Sequence, residues 1–150
     1  MKTTLLAEQQ ISQAKVRLMN APEWRWMAGI LMMGDTKFVS GKDAKIQTAA
    51  TDGLNETYNR EWMANLDVEE VKFVVLHEGF HKMFRHLFVW RNLWDDNPQL
   101  ANIACDVVIN TQYLHGKPGI KFVKGGVHME EYADAMKWNA KSIFDDLKKK

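Results

Sequence analysis

Residues His77-Glu78-Gly79-Phe80-His81 form an H-E-x-x-H pattern within VKFVVLHEGFHKMFRH, the apolar stretch from Val71 to His86. On a helix, residues four apart lie almost above one another. Two imidazoles at that spacing can therefore close on one Zn²⁺, while the carboxylate between them reaches a water at the metal. That is the chemistry of a zinc hydrolase. Phe73, Val74, Leu76, Phe80 and Phe84 recur at helical spacing and would bury such a helix. The other reading makes these ordinary helix histidines, with Glu78 on a solvated face. Unpaired polar groups in a buried helix are costly, so placing three there needs a reason.

A catalytic zinc needs a third protein ligand and an open position for water. Asp106 lies in ANIACDVVIN, a second apolar segment that follows the turn-like Asp95-Asp96-Asn97-Pro98. Pro98 suits the first turn of a new helix, and a helix returning beside the first would present Asp106 to the metal. Two alternatives stay open. His115 ends the same segment, before Gly116-Lys117-Pro118-Gly119. His86 is nearest in sequence, but on a continuous helix it lies about 180° from His77 and about 140° from His81, which makes it a ligand only if the helix ends first. Asn110, one turn after Asp106, would hold the ligating carboxylate by a hydrogen bond, or else cap the helix before Thr111.

Three blocks in order, ATDGLNETYN (Ala50 to Asn59), HEGFHKMFRH (His77 to His86) and ACDVVIN (Ala104 to Asn110), resemble the Putative metallopeptidase domain family. That family occurs in phages and in bacterial proteins where the domain precedes a von Willebrand A-like domain. The likeness runs from the N-terminal helix to the closing SIFDDLKKK. It implies zinc held by His77, His81 and Asp106, with Glu78 as catalytic base, and supplies no substrate. The chain stops at Lys150, short of the longer bacterial members, so recruitment of a partner through a second domain is not expected.

The elements that must position these residues are expected in a definite order. Ala7, Ile11, Ala14 and Leu18 predict an amphipathic helix over Thr4 to Met19, and a second runs from about Pro22 to Met33, ending at Gly34. Lys37 to Ser40 reads as a short strand. Ile46 to Thr51 and Leu54 to Asn59 flank Asp52-Gly53 as a hairpin whose first strand is weak. The H-E-x-x-H helix starts near Asp67 or Val68, behind an acidic first turn, and runs to about Trp90. Gly116 to Gly126 is a loop or short hairpin, and a final helix runs from about Met129 or Lys141 to Lys148. The fold class is α+β: a mainly helical, zincin-like single domain spanning residues 1–150, with a small sheet before the zinc helix.

Length and composition agree. One hundred and fifty residues with 46% apolar content suffice for one core. Twenty Lys plus Arg against 19 Asp plus Glu leave no global attraction to nucleic acid or to an anionic membrane. Cys105 stands alone and excludes an intrachain disulfide. The start, MKTTLLAEQQ, lacks the apolar region of a signal peptide, and WMAGILMMG is too short to span a bilayer, so a cytoplasmic protein is expected, in the host if phage-encoded. Most of the nine Met and six Trp should fill the core, and exposed ones could grip an apolar substrate.

The expected activity is peptide-bond hydrolysis with Glu78 as general base. Tyr113, His115, His128 and Tyr132 are candidate oxyanion donors. The strand before the zinc helix is a candidate edge for an extended substrate. The alternative is a zinc-containing, non-catalytic binding module, such as a phage protein that binds a host factor. It uses the same ligands but gives Glu78 no task.

Overall fold

The computed structural model describes residues 4–150 and divides them into two compact units, one comprising residues up to Met83 with Gly119–Val123, the other Phe84–Pro118 with Lys124–Lys150. The first opens with α1 (Ala7–Asn20). Ala7, Ile11, Ala14 and Leu18 are all buried, as their spacing requires. The expected second helix is instead broken. A 3₁₀ turn at Arg25–Met27 leads into α2, only Ala28–Leu31, and the chain leaves it through Gly34 at φ +76°. Trp24, Met27 and Leu31, spaced i, i+3 and i+7, still all reach the core across the break.

Three short strands follow: β1 (Thr36–Val39), β2 (Ala49–Thr51) and β3 (Glu56–Asn59). The hairpin at Asp52-Gly53 forms as its residues demand. The Asp52 carboxylate accepts hydrogen bonds from the backbone N–H groups of Leu54 (2.9 Å) and Asn55 (2.7 Å), and Gly53 takes φ +101°. β2 pairs antiparallel with β3, and β1 pairs parallel with it, giving the order β1-β3-β2. The strand that leads towards the H-E-x-x-H helix is therefore central. Both its sides are taken, so it cannot accept a substrate strand, and the edges of the sheet are β1 and β2.

After α3 (Arg60–Met63), which Asn59 caps, α4 runs over Val68–Phe84. Asp67 and Glu70 form a reciprocal cap at its start: Glu70 N donates to Asp67 Oδ1 (2.9 Å), and Asp67 N donates to Glu70 Oε1 (3.1 Å). The segment Gly119–Val123 lies along this helix. Lys121 N donates to the Glu69 carbonyl (3.2 Å), and Phe122 packs on Phe73 with ring centroids 4.4 Å apart. At Gly79 α4 packs tightly on the preceding helical segment, since a Cβ there would lie 3.1 Å from Leu31 Cδ2 and 3.3 Å from Met27 Cε.

The helix does not reach Trp90. It stops at Phe84, because Arg85 takes a left-handed conformation at φ +54°. The second unit continues through α5 (His86–Val89) and α6 (Arg91–Asp96) to α7 (Pro98–Val107), whose Asn97 cap accepts from Leu100 N (3.1 Å). α7 passes into a π-helical stretch at Val108–Leu114. Residues 116–126 form an irregular loop, 3₁₀ turn Glu130–Tyr132 follows, and α8 (Ala140–Lys148) closes the unit behind an Asn139 cap. Its core joins Leu93, Ala101, Ala104, Cys105 and Val107 to Tyr132, Ile143 and Phe144. Among the described residues no helix is long and apolar enough to cross a membrane.

Candidate metal centre

On α4 the two histidines converge. His77 Nε2 and His81 Nε2 stand 3.1 Å apart, with their rings edge to face at 4.7 Å between centroids. A Zn–N distance of about 2.0–2.1 Å and a tetrahedral angle put two ligating nitrogens about 3.3 Å apart. The pair thus already has the spacing of two ligands on one ion, and neutral imidazole nitrogens suit zinc. Phe73 stacks on the His77 ring, with centroids 6.0 Å apart, and both histidines are half-buried. Glu78, between them in sequence, is 5% exposed. A solvated glutamate, as the non-functional reading requires, is not what the fold provides.

Behind α4 lies a set of charged groups that sequence reasoning missed. Lys82, the residue after His81, is fully buried and pairs with Glu56 at the start of β3. Lys82 Nζ also donates to the Met33 carbonyl (3.1 Å). The other Glu56 oxygen meets Lys15 Nζ of α1 at 2.6 Å and accepts from Thr36 Oγ1 at 3.2 Å. Burial pushes the Glu56 carboxyl up, but the hydrogen bonds and charges of Lys15 and Lys82 outweigh it and hold the group below its ordinary range. Tyr58, fully buried two residues along β3, is shifted the other way. Burial, then the carboxylates of Glu56 and Glu78, raise its phenol well above the usual tyrosine value, so it stays protonated. The available signal was Lys82 itself, a cation set among Phe80, Met83 and Phe84 in the apolar second half of the helix.

The second unit holds the remaining predicted residues. Asp106 is half-buried on α7, where Asn102 Nδ2 makes a long 3.5 Å contact with its Oδ2. Burial, and then the Asp106 charge, push the Cys105 thiol up to about 12, so this buried sulfur is an inert core atom. Asn110 is 2% exposed and lies inside the π-helical stretch. It is therefore no C-cap; the helix continues past it, and its carbonyl accepts from His115 N (2.9 Å).

His86 follows the helix break, so the argument that a continuous helix turns it away from His77 and His81 fails. It is buried, with its ring stacked on Phe84 at 5.3 Å. His115 stacks on His128 (4.0 Å between centroids). Of the candidate oxyanion donors, Tyr132 gives its hydroxyl to Asp146 (2.6 Å), and Tyr113 packs against Phe84.

The family model of the Putative metallopeptidase domain matches residues 7–150. The chain belongs to that family. Membership suggests a metal-dependent peptidase, which implies a metal cofactor and protein or peptide substrates, and the described residues include groups of histidine with carboxylate that could hold an ion. Comparison with curated proteins and with solved structures gives no match.

Proposed function

We propose that this member of the family is a zinc-dependent metallopeptidase of the H-E-x-x-H type, with His77, His81 and Asp106 as metal ligands and Glu78 as general base. The observation that carries this reading is the 3.1 Å approach of the two imidazole nitrogens on α4, in a chain that matches a metallopeptidase family over nearly its whole length. Asp106 is supported by its half-buried place on a capped helix and by the A-x-D-x-x-x-N order of the resemblance. Asn110, buried one turn on, would hold that carboxylate.

When bound, Zn²⁺ polarises the scissile carbonyl and lowers the pKa of water towards about 7. The chain's own part is proton transfer. Glu78 takes the proton of the attacking water and delivers it to the leaving amine, so that the carboxyl ends the cycle ionised as it began. Its burial keeps bulk water from competing for that proton. The 150 residues act as one zincin-like domain on a peptide substrate in the cytoplasm, that of the host if the protein is phage-encoded.

The test is Glu78→Gln, which keeps shape and hydrogen-bonding size. Wild type and variant are compared for zinc content, thermal stability and cleavage of unfolded protein substrates. The variant should stay folded and zinc-loaded and lose about 10²- to 10⁴-fold in cleavage rate. Equal cleavage by the two proteins would overturn the assignment of Glu78. A biological effect that survives intact in the zinc-loaded variant would favour the non-catalytic binding module.

A further inference from the structure

A second group of ligand-type side chains lies wholly within the second unit and has no part in the peptidase centre proposed above. His115 closes the π-helical stretch, and His128 and Glu130 follow the glycine-rich loop. One ligand atom from each of the three lies within 4.8 Å of the other two. The two imidazoles stack face to face, inclined by 23°, and His128 Nε2 stands 3.2 Å from Glu130 Oε2.

The backbone holds the two segments in place. His115 N donates to the Asn110 carbonyl (2.9 Å), and Met129 N donates to Thr111 Oγ1 (3.0 Å), which fastens the His128–Glu130 segment to the same π-helical turn. The main chain therefore holds the two segments of the cluster against one π-helical turn.

We infer that His115, His128 and Glu130 form a second metal site, for an exchangeable divalent transition ion of the zinc class. Two imidazoles and one carboxylate favour such an ion over Mg²⁺ or Ca²⁺, which take oxygen ligands. The geometry also sets the strength. Stacked rings aim their nitrogens side by side rather than at one point, so His115 and the 76%-exposed Glu130 must rotate to close on an ion. That rotation costs side-chain freedom, and solvent stays in the shell. The His77–His81 pair is already at ligand spacing, so this second site fills after it.

The experiment is a Zn²⁺ titration of untagged, metal-stripped full-length protein, read by calorimetry and by imidazole NMR. Wild type should bind two equivalents, a tight one and a weaker one, with the His115 and His128 resonances moving only during the second. His115→Ala/His128→Ala should lose the second equivalent, keep the first and melt as wild type does. His77→Ala/His81→Ala should lose only the first. A wild type that stops at one equivalent, or a His115→Ala/His128→Ala variant that still takes two, overturns the second site. Absence of the tight class with the weaker one intact would instead remove the proposed peptidase centre and leave this site standing.

Discussion

Lys82 and Glu56, 26 residues apart in sequence, form a buried ion pair that joins the H-E-x-x-H helix to the central strand of the sheet. Lys82 directly follows His81, so the helix is pinned from behind at the turn that carries a proposed metal ligand. Buried pairs of this kind add little net stability over an apolar replacement, yet removing one partner leaves a stranded charge.

Lys82→Met is therefore expected to destabilise the fold by about 3 kcal/mol, the low end for a broken buried pair because Lys15 still meets Glu56. Chemical denaturation measures it, and a midpoint equal to that of wild type would show that the pair does not hold the helix.

Glu56→Gln tests the same network through pH. The folded carboxyl lies below its ordinary 4.5, so it contributes stability above about that pH, and this contribution is lost as pH falls through the folded value. The variant should be less stable than wild type at pH 7, and the gap should shrink as the pH drops below 4.5. Urea unfolding at both pH values reads this directly. A gap that stays constant would contradict it.

The identity of the third ligand can be read from zinc affinity in three single variants. Asp106→Ala should release the tightly bound zinc, while His86→Ala and His115→Ala should retain it. His86 is buried against Phe84, so its variant will also melt lower, which a thermal scan separates from metal loss. Zinc lost from His86→Ala and kept by Asp106→Ala would exchange the two assignments.

Gly79 sits inside the motif for a packing reason. Gly79→Ala gains about 1 kcal/mol of helix propensity, set against contacts that flexible Met27 and Leu31 ends can relieve, so its melting temperature should stay near that of wild type. Gly79→Leu has no such room and should cost about 1–3 kcal/mol. Equal melting temperatures for the leucine variant and wild type would show that the helices are not in close contact there.

Local signals read well in this chain. The cap at Asp67, the Asp52-Gly53 turn, the start at Pro98 and the face of Ala7, Ile11, Ala14 and Leu18 all act over a few residues, and each forms where the sequence places it. The end of α4 was not legible, because Arg85 is not a residue type that marks a left-handed stop. Its carbonyl accepts from the N–H groups of Phe88 and Val89, and its guanidinium lies over the Phe88 ring at 5.5 Å, interactions that become visible only once the chain has turned. The π-helical stretch was hidden because seven residues, VINTQYL, are too few to separate one helical period from the other. The Glu56–Lys82 pair depends on strand order, which puts β3 in the centre of the sheet. Within the site, the spacing of His77 and His81 could be read directly from the motif, since both sit on one helix. The place of Asp106 could be argued only from resemblance and helix direction.

The central claim is that the His77–His81 helix holds zinc, and the most direct measurement is zinc content per chain in untagged protein dialysed free of loosely bound metal. Wild type should retain close to one equivalent, and His77→Ala/His81→Ala close to none. A wild type far below one equivalent after refolding with zinc, or a double variant that retains as much as wild type, would contradict it.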